Sequence, residues 1–159
     1  MRHGKSDWSA GGTADHDRPL NRRGVASAKT MGEVLTAAGL QPDLVITSSA
    51  RRARTTAQLV AEAGGWSAPI TADDRLYYCH VADVLAVIGE TPDAVQRLMV
   101  VGHQPIWGAL VAHLTGASTA MRTAAVAVID LMLGASWAND GDVSGELVAL
   151  LQPRHFAAG

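Results

Sequence analysis

The sequence predicts an α/β fold in which a mostly parallel central sheet lies between two layers of helices. Uninterrupted apolar runs at Leu44–Thr47 and Leu98–Val101 have the composition of strands that are buried on both faces, as in a parallel sheet. Segments with the apolar spacing of helices separate these strands, and such alternation is typical of three-layer α/β/α domains. We expect a single domain over residues 1–159, a length that buries a sizeable core.

The predicted helices and strands alternate along the chain, and local signals mark their ends. Asn21 and Ser48-Ser49 are suited to cap the helices that follow them, and Gly39 and Gly64-Gly65 are suited to end helices. We predict helices from Asn21 to about Gly39 and over 51–63, 82–88, 93–97 and 106–114. We predict strands over 44–47, 98–101, 125–131 and 146–151, and a weak strand over 70–72. A polar loop that carries residues 139–142 joins the last two strands.

Composition excludes several classes of protein. The formal net charge is -2, so no general basic field attracts the chain to nucleic acid or to an anionic membrane. No stretch approaches the ~20 apolar residues that span a bilayer, and no signal peptide precedes the first motif, so we expect a cytoplasmic protein. The single Cys79 excludes an internal disulfide and is interpreted as a small buried apolar residue. No histidine or cysteine spacing indicates a metal site.

The first cluster of candidate site residues is Arg2-His3-Gly4, followed by Lys5 and Ser6. Imidazole can attack phosphorus and carry the phosphoryl group covalently. Arginine has a fixed fork of donors that matches phosphate oxygens, and glycine lets the backbone approach an anion closely. A frayed N-terminus is the alternative interpretation of this tripeptide.

Two further clusters directly follow the two clearest strands. Three arginines, Arg51, Arg52 and Arg54, enter the first turns of the helix after the strand at 44–47, where the amide end of the helix also favours anions. We expect one of them to bind phosphate; a solvated basic face is the alternative. His103 follows the strand at 98–101, where it is suited to donate to a phosphate oxygen or to the leaving group; an ordinary loop histidine is the alternative.

Arg18 is a candidate fourth contact to phosphate or substrate, although a structural pair with Asp17 explains it equally well. Ligands of open α/β sheets bind outside the carboxyl ends of the strands, which is where these clusters lie. The sequence therefore predicts a phosphate-binding site at that edge of the sheet.

Taken together, four segments resemble the histidine phosphatase superfamily, most closely its small SixA-like branch of phosphohistidine phosphatases. They are RHGKSDW at 2–8, DRPLNRRG at 17–24, PDLVITSSARRARTTA at 42–57 and VVGHQP at 100–105. The resemblance implies a phosphoglycerate mutase-like fold with no metal and no other cofactor. By position, His3 resembles the family's nucleophile, Arg2 and Arg52 its phosphate ligands, and His103 its second pocket histidine.

The resemblance also implies a substrate-facing role for Arg18, and a two-step reaction through a phosphohistidine on His3. Asp83 and Glu90 are the only stand-ins we find for a proton donor, and no motif supports them. The family enters its first motif from a buried apolar strand, whereas only Met1 precedes Arg2 here. We therefore expect a sheet that lacks its first strand, with apolar surface and backbone groups exposed beside it.

The expected function is removal of phosphate from phosphohistidine in a signalling or phosphotransfer protein. A phosphatase of small phosphomonoesters on the same site is the first alternative. The second alternative is a phosphate-binding domain that is inactive because the first strand is missing.

Overall fold

The computed structural model describes residues 1–9, 12–132, 134, 136–138 and 143–156. Residues 139–142, where the sequence predicts a polar loop, lie outside these ranges. Within them, the α-helices are α1 (Arg22–Ala37), α2 (Arg51–Gly64), α3 (Val81–Gly89) and α4 (Ile106–Thr115). The strands are β1 (Leu44–Ser48), β2 (Ile70–Asp73), β3 (Leu98–Val101), β4 (Val126–Leu131) and β5 (Gly145–Leu151).

The strands form a parallel sheet and a separate antiparallel pair. β1 is central in the order β2-β1-β3, and both of its neighbours run parallel to it. β4 and β5 pair antiparallel beside this sheet. The carboxyl ends of β1 and β3 therefore meet at one edge, as the sequence predicts.

Helices cover both faces of the sheet, which confirms the predicted three-layer α/β/α architecture. Met31 and Leu35 of α1 and Val60 of α2 pack in one core with the strand residues Val45 and Val101. On the other face, side chains of α3 and α4 form a second core with alternate strand residues, among them Val84, Trp107, Leu110, Ile46 and Val100.

Two local predictions are wrong. Residues 93–97 form turns because the backbone amides of Gln96 and Arg97 donate to the Asp43 carboxylate, at 2.9 and 2.8 Å, and not to helical carbonyls. Ala50, not a serine, is the N-cap residue of α2, and it makes no side-chain capping bond. Asn21 does cap α1, as predicted, by accepting a hydrogen bond from the Gly24 amide.

Residues 1–3 lie between β3 and β4, where they are held like the last residues of a strand. The His3 amide donates to the Gly102 carbonyl at 3.0 Å, and the Arg2 amide donates to the Ala125 carbonyl at 3.0 Å on the other side. The Met1 amine donates to the Val100 carbonyl at 2.7 Å, and Met1 is only 5% exposed. A frayed N-terminus is therefore the wrong interpretation of the first tripeptide.

A cavity of about 570 Å³ extends from Met1 between β3 and β4. It is lined by strand residues and by side chains of both helical layers, among them Leu35, Met99, Trp107, Leu110 and Val128. Among the described residues, β3 has a ladder with β1 alone, and only the segment at 1–3 spans the space toward β4. The sheet thus has the interruption that the sequence predicts at its first strand.

No helix of the described part of the chain has the length and apolar character to cross a membrane.

Candidate active site

Arg2, His3, Arg18, Arg52 and His103 line one small pocket of about 190 Å³. It lies at the carboxyl ends of β1 and β3, since Arg52 enters α2 shortly after β1 and His103 follows β3 directly. Ser6, another predicted site residue, also lines this pocket, together with Lys5, Trp8, Gln104 and Thr123. The fold therefore brings together lining residues that are up to 121 positions apart in the sequence, from Arg2 to Thr123.

His3 is buried, with 8% of its surface exposed, and its orientation selects one tautomer. Its Nδ1 lies 2.6 Å from the Gly4 carbonyl oxygen, which can only accept a hydrogen bond. Nδ1 therefore carries the proton, and Nε2 keeps the lone pair that a nucleophile needs. The backbone hydrogen bonds on both sides of His3 hold the ring in place.

His103 packs beside His3, with the two ring centroids 5.0 Å apart. The distance from its Nε2 to Ser48 Oγ is 2.8 Å, so the hydroxyl that closes β1 orients the ring that follows β3. Position 102, directly before His103, must be glycine, because a Cβ at this position would clash with the Trp107 ring. Ser48 thus acts on His103 instead of capping α2.

Burial keeps both histidines neutral at pH 7. Desolvation, the largest cause, and the positive charges of Arg52 and Arg2 together lower the pKa of His3 to about 3. Desolvation, the largest cause, and the positive charge of Arg52 likewise lower the pKa of His103 to about 4. A neutral imidazole with a free Nε2 is the reactive form for attack on phosphorus.

Arg52 and Arg18 are held by one residue that the sequence analysis missed. Arg52 Nη1 and Nη2 donate to the backbone carbonyl and the carboxylate of Asp15, at 2.7 and 3.1 Å. Arg18 donates to the same carboxylate and, at 2.9 Å, to Ser6 Oγ. The structural pair of Arg18 is thus Asp15, three residues earlier, and not Asp17, whose side chain lies 3.4 Å from His16.

The Asp15 carboxylate is ionised at neutral pH. Hydrogen bonding from Tyr77, whose hydroxyl donates at 2.7 Å, and from the arginines lowers the pKa of Asp15 to about 2. The three-residue spacing between Asp15 and Arg18 is the one sequence signal that could have identified this pair. No sequence signal linked Tyr77 to the site, since it lies in a different loop.

The arginines retain donors that the protein does not use. In the part of the chain that the structure describes, the Nε atoms of Arg2, Arg18 and Arg52 are buried and have no hydrogen-bond partner. Arg2 uses Nη1 to bind the Met121 carbonyl at 2.9 Å, which fixes its guanidinium. Buried donors without partners are costly, so three of them around one pocket favour an oxyanion as the ligand.

Gly4 positions the site through packing. Its amide donates to Thr56 Oγ1 at 2.9 Å, and a Cβ on Gly4 would lie 2.8 Å from the Gly24 carbonyl oxygen. The same hydroxyl of Thr56 donates to the Arg52 carbonyl at 2.6 Å. Gly4 therefore allows α1 and α2 to approach the segment that carries His3.

The remaining candidates lie away from the pocket. Arg51 and Arg54 are exposed on α2. The Asp83 carboxylate accepts a hydrogen bond from the His80 amide at the start of α3, and Glu90 forms an ion pair with Arg75.

Cys79 is only partly buried, and burial raises the pKa of its thiol, which disfavours the thiolate. The described residues contain no group of three or more His, Cys, Asp or Glu side chains arranged to hold a metal ion.

We expect the free energy of unfolding to decrease as the pH falls below about 6.5, since the pKa values of His3 and His103 drop from 6.5 to about 3 and about 4 on folding. At a pH between the unfolded and the folded pKa of each histidine, the unfolded chain binds more protons than the folded chain, so acidification favours unfolding. The Met1 amine acts in the same direction between pH 8 and 5, because burial lowers its pKa from 8.0 to about 5.

Urea unfolding at pH 8, 6.5 and 5 measures this effect. The variant His3→Gln removes one titrating group and should show a shallower decrease, whereas His155→Gln, an exposed control, should follow the parent chain. Equal unfolding free energies at pH 8 and pH 5 would contradict the assignment of two neutral buried histidines.

Comparisons with known proteins agree with this fold. A sequence profile of the histidine phosphatase superfamily (branch 1) matches residues 1–84. An uncharacterized protein of Mycobacterium tuberculosis (strain H37Rv) is 36% identical over 165 residues, covering 97% of this chain and 100% of that protein. The crystal structure of a SixA of Agrobacterium tumefaciens, assigned as a phosphohistidine phosphatase, has a TM-score of 0.82 at 28% identity and covers 96% of this chain and 95% of that one.

The structure of the protein histidine phosphatase SixA complexed with tungstate shares the fold, with a TM-score of 0.82 at 24% identity, over 99% of this chain and 97% of that one. The chain belongs to the histidine phosphatase superfamily. It has the SixA and phosphoglycerate mutase-like fold and is a hydrolase of the phosphatase class.

Proposed function

We propose that this phosphatase works through a covalent phosphohistidine on His3, and that its substrate is phosphohistidine in a signalling or phosphotransfer protein. The observation that carries the proposal is a neutral imidazole with a free Nε2 beside three arginines that hold unused buried donors. These are the two requirements of phosphoryl transfer, a nucleophile and fixed positive charge around the equatorial oxygens.

In the first step the phosphoryl group lies among Arg2, Arg18, Arg52 and His103, and Nε2 of His3 attacks phosphorus. The Nε2–P bond forms as the bond from phosphorus to the leaving group breaks, and the leaving group takes up a proton. In the second step water attacks the phosphohistidine, which releases inorganic phosphate and restores neutral His3. The guanidinium groups supply the positive charge that a metal ion supplies elsewhere. Gly4 and Ser6 contribute by holding this arrangement, through Thr56 and Arg18 respectively.

The leaving group decides between the candidate substrates. Asp15, the carboxylate nearest to the arginines, is a poor proton donor at neutral pH because its pKa is about 2. An alkoxide leaves badly without a proton donor, whereas imidazole leaves well once a solvent proton reaches it. This difference favours phosphohistidine over small phosphomonoesters. The likeness to an assigned phosphohistidine phosphatase of Agrobacterium tumefaciens supports the same substrate.

Phosphate release in the presence of a chelator tests this function. We expect kcat/KM to be at least about tenfold higher for a phosphohistidine-bearing protein than for glycerol phosphate. The reason is that the alkoxide of the phosphoester needs a positioned proton donor in order to leave, whereas imidazole can take its proton from solvent. Tungstate, an oxyanion, should inhibit both reactions. Faster hydrolysis of the phosphoester would establish the phosphomonoesterase alternative, and no hydrolysis of either substrate would establish an inactive phosphate-binding domain.

A further inference from the structure

Three of the seven Trp, Tyr and Phe residues of the chain lie in or next to the pocket. The whole sequence has 4 Trp, 2 Tyr and 1 Phe. Trp8 lines the pocket, and Tyr77 lies with its ring centroid 5.9 Å from that of His103. Tyr78 packs against Tyr77 with the ring centroids 4.1 Å apart and the ring planes tilted by 43°. We call Trp8, Tyr77 and Tyr78 the aromatic rim.

Two rings of the aromatic rim are open to solvent. Trp8 is 75% exposed and Tyr78 is 82% exposed, the two highest values among the large apolar side chains that the structure describes. Such exposure contributes little to folding, so packing does not account for these residues. Their exposed faces are therefore available to contact a ligand at this site.

The rings are also held in place. The Arg18 guanidinium lies over the Trp8 ring, 3.6 Å from its centroid, and Ser6 and Asp15 fix that guanidinium. On the other side, the Tyr77 hydroxyl donates to Asp15, which anchors the ring against which Tyr78 packs. One residue, Asp15, thus connects the phosphate-binding arginines to both halves of the aromatic rim.

The size of the pocket decides which part of a substrate meets these rings. Its volume of about 190 Å³ is well below the ~300 Å³ or more of pockets that enclose a whole small-molecule ligand. The pocket therefore does not enclose a whole substrate, and with the phosphoryl group against His3 the rest of the substrate extends toward the mouth. Trp8 lines the pocket on that path, and Tyr78 lies against Tyr77, the ring next to His103.

We propose that the aromatic rim selects substrates whose leaving group is a planar ring, which stacks on Trp8 and Tyr78 while the phosphoryl group occupies the pocket. Planar rings stack on aromatic faces in offset or edge-to-face arrangements, and a saturated alkyl group lacks this interaction. The inference rests on the proposed function, because it assumes that the pocket binds the phosphoryl group. It adds Trp8 and Tyr78 as specificity residues, and imidazole and phenyl rings share the chemistry that they recognise.

Binding of two phosphonates tests the inference without turnover. Phenylphosphonate and methylphosphonate carry the same anionic group and differ in the ring. By titration calorimetry we expect phenylphosphonate to bind the parent chain about tenfold more tightly, which is the scale of one good aromatic contact. The ratio of the two Kd values should fall to near one in the double variant Trp8→Ala/Tyr78→Ala. Trp8→Phe keeps a ring and should retain most of the preference.

The variant Phe156→Ala is the matched control, since it removes an exposed aromatic side chain that does not line the pocket and should leave the ratio unchanged. Equal affinities of the parent chain for the two phosphonates would overturn this inference alone, and so would an unchanged preference in the double variant. Absence of binding by both phosphonates would overturn the phosphate pocket and, with it, the inference. Thermal melting of each variant establishes that it is folded.

Discussion

Replacing His3 by alanine is expected to lower kcat by about 10³-fold or more, because loss of a nucleophile removes the covalent route while leaving the rest of the site in place. The arginines that bind the phosphoryl group keep their own partners in this variant, namely Asp15, Ser6 and the Met121 carbonyl. We therefore expect tungstate to bind His3→Ala with an affinity close to that of the parent chain. The measurement is phosphate release from an aryl phosphate, together with tungstate binding by calorimetry.

The control for this experiment is His155→Ala, which removes an exposed histidine near the C-terminus and should retain full activity. Rapid quenching of the parent chain with labelled substrate should trap phosphate on His3 in a form that is stable to base and labile to acid. Activity that persists in His3→Ala would show that another group attacks phosphorus. Loss of activity together with loss of tungstate binding would mean that the substitution had disrupted the pocket.

The second large effect concerns the cavity of about 570 Å³ between β3 and β4. Five apolar residues joined ahead of Met1 are expected to continue its backbone path as a strand, parallel to β3 and buried on both faces. Burial of each large side chain contributes about 1.5–3 kcal/mol, and ordering each residue costs about 1–2 kcal/mol. The new strand would also pair with free backbone groups of β3 and replace the buried Met1 amine by a peptide bond. We expect a net gain of about 3 kcal/mol, which raises Tm by roughly 6–12 °C.

An extension of equal length made of glycine and serine is the matched control, because it also removes the terminal amine but brings no apolar side chain to the cavity. It should leave Tm within a few degrees of the parent chain. Differential scanning calorimetry of the three chains measures the effect. An apolar extension that behaved like the glycine-serine extension would show that the cavity does not accept a strand.

The residues expected to bind and attack the phosphoryl group, namely Arg2, His3, Arg52 and His103, do lie together, because the sequence signals that identify them are local. Apolar runs such as Leu98–Val101 identify buried strands without reference to the rest of the chain, and Gly102-His103 follows that run directly. Once the strands are parallel, their carboxyl ends meet at one edge, so side chains that follow them become neighbours. The first tripeptide joins them because its backbone pairs with Gly102 on one side and Ala125 on the other.

Other features depended on contacts between distant segments. The turn at 93–97 exists because the carboxylate of Asp43, some fifty positions earlier, accepts hydrogen bonds from two backbone amides of the turn, at 2.9 and 2.8 Å. Tyr77 and Trp8 approach the site from separate loops, and no periodicity in the sequence links either of them to an arginine. Ser48 has the character of a helix cap, but in the folded chain its hydroxyl lies 2.8 Å from His103.

Apart from the helix over 93–97, the sequence by itself determined the order of strands and helices and the identity of the groups at the strand ends, because hydrophobic runs, caps and glycines act over a few residues. Only the tertiary structure decided the charge state of those groups and the donors left for a ligand. Desolvation lowers the pKa values of His3 and His103, and desolvation exists only once other segments have covered the rings. Likewise, Asp15, Ser6 and the Met121 carbonyl bind the Nη atoms of the arginines, while their Nε atoms are buried without a partner among the described residues.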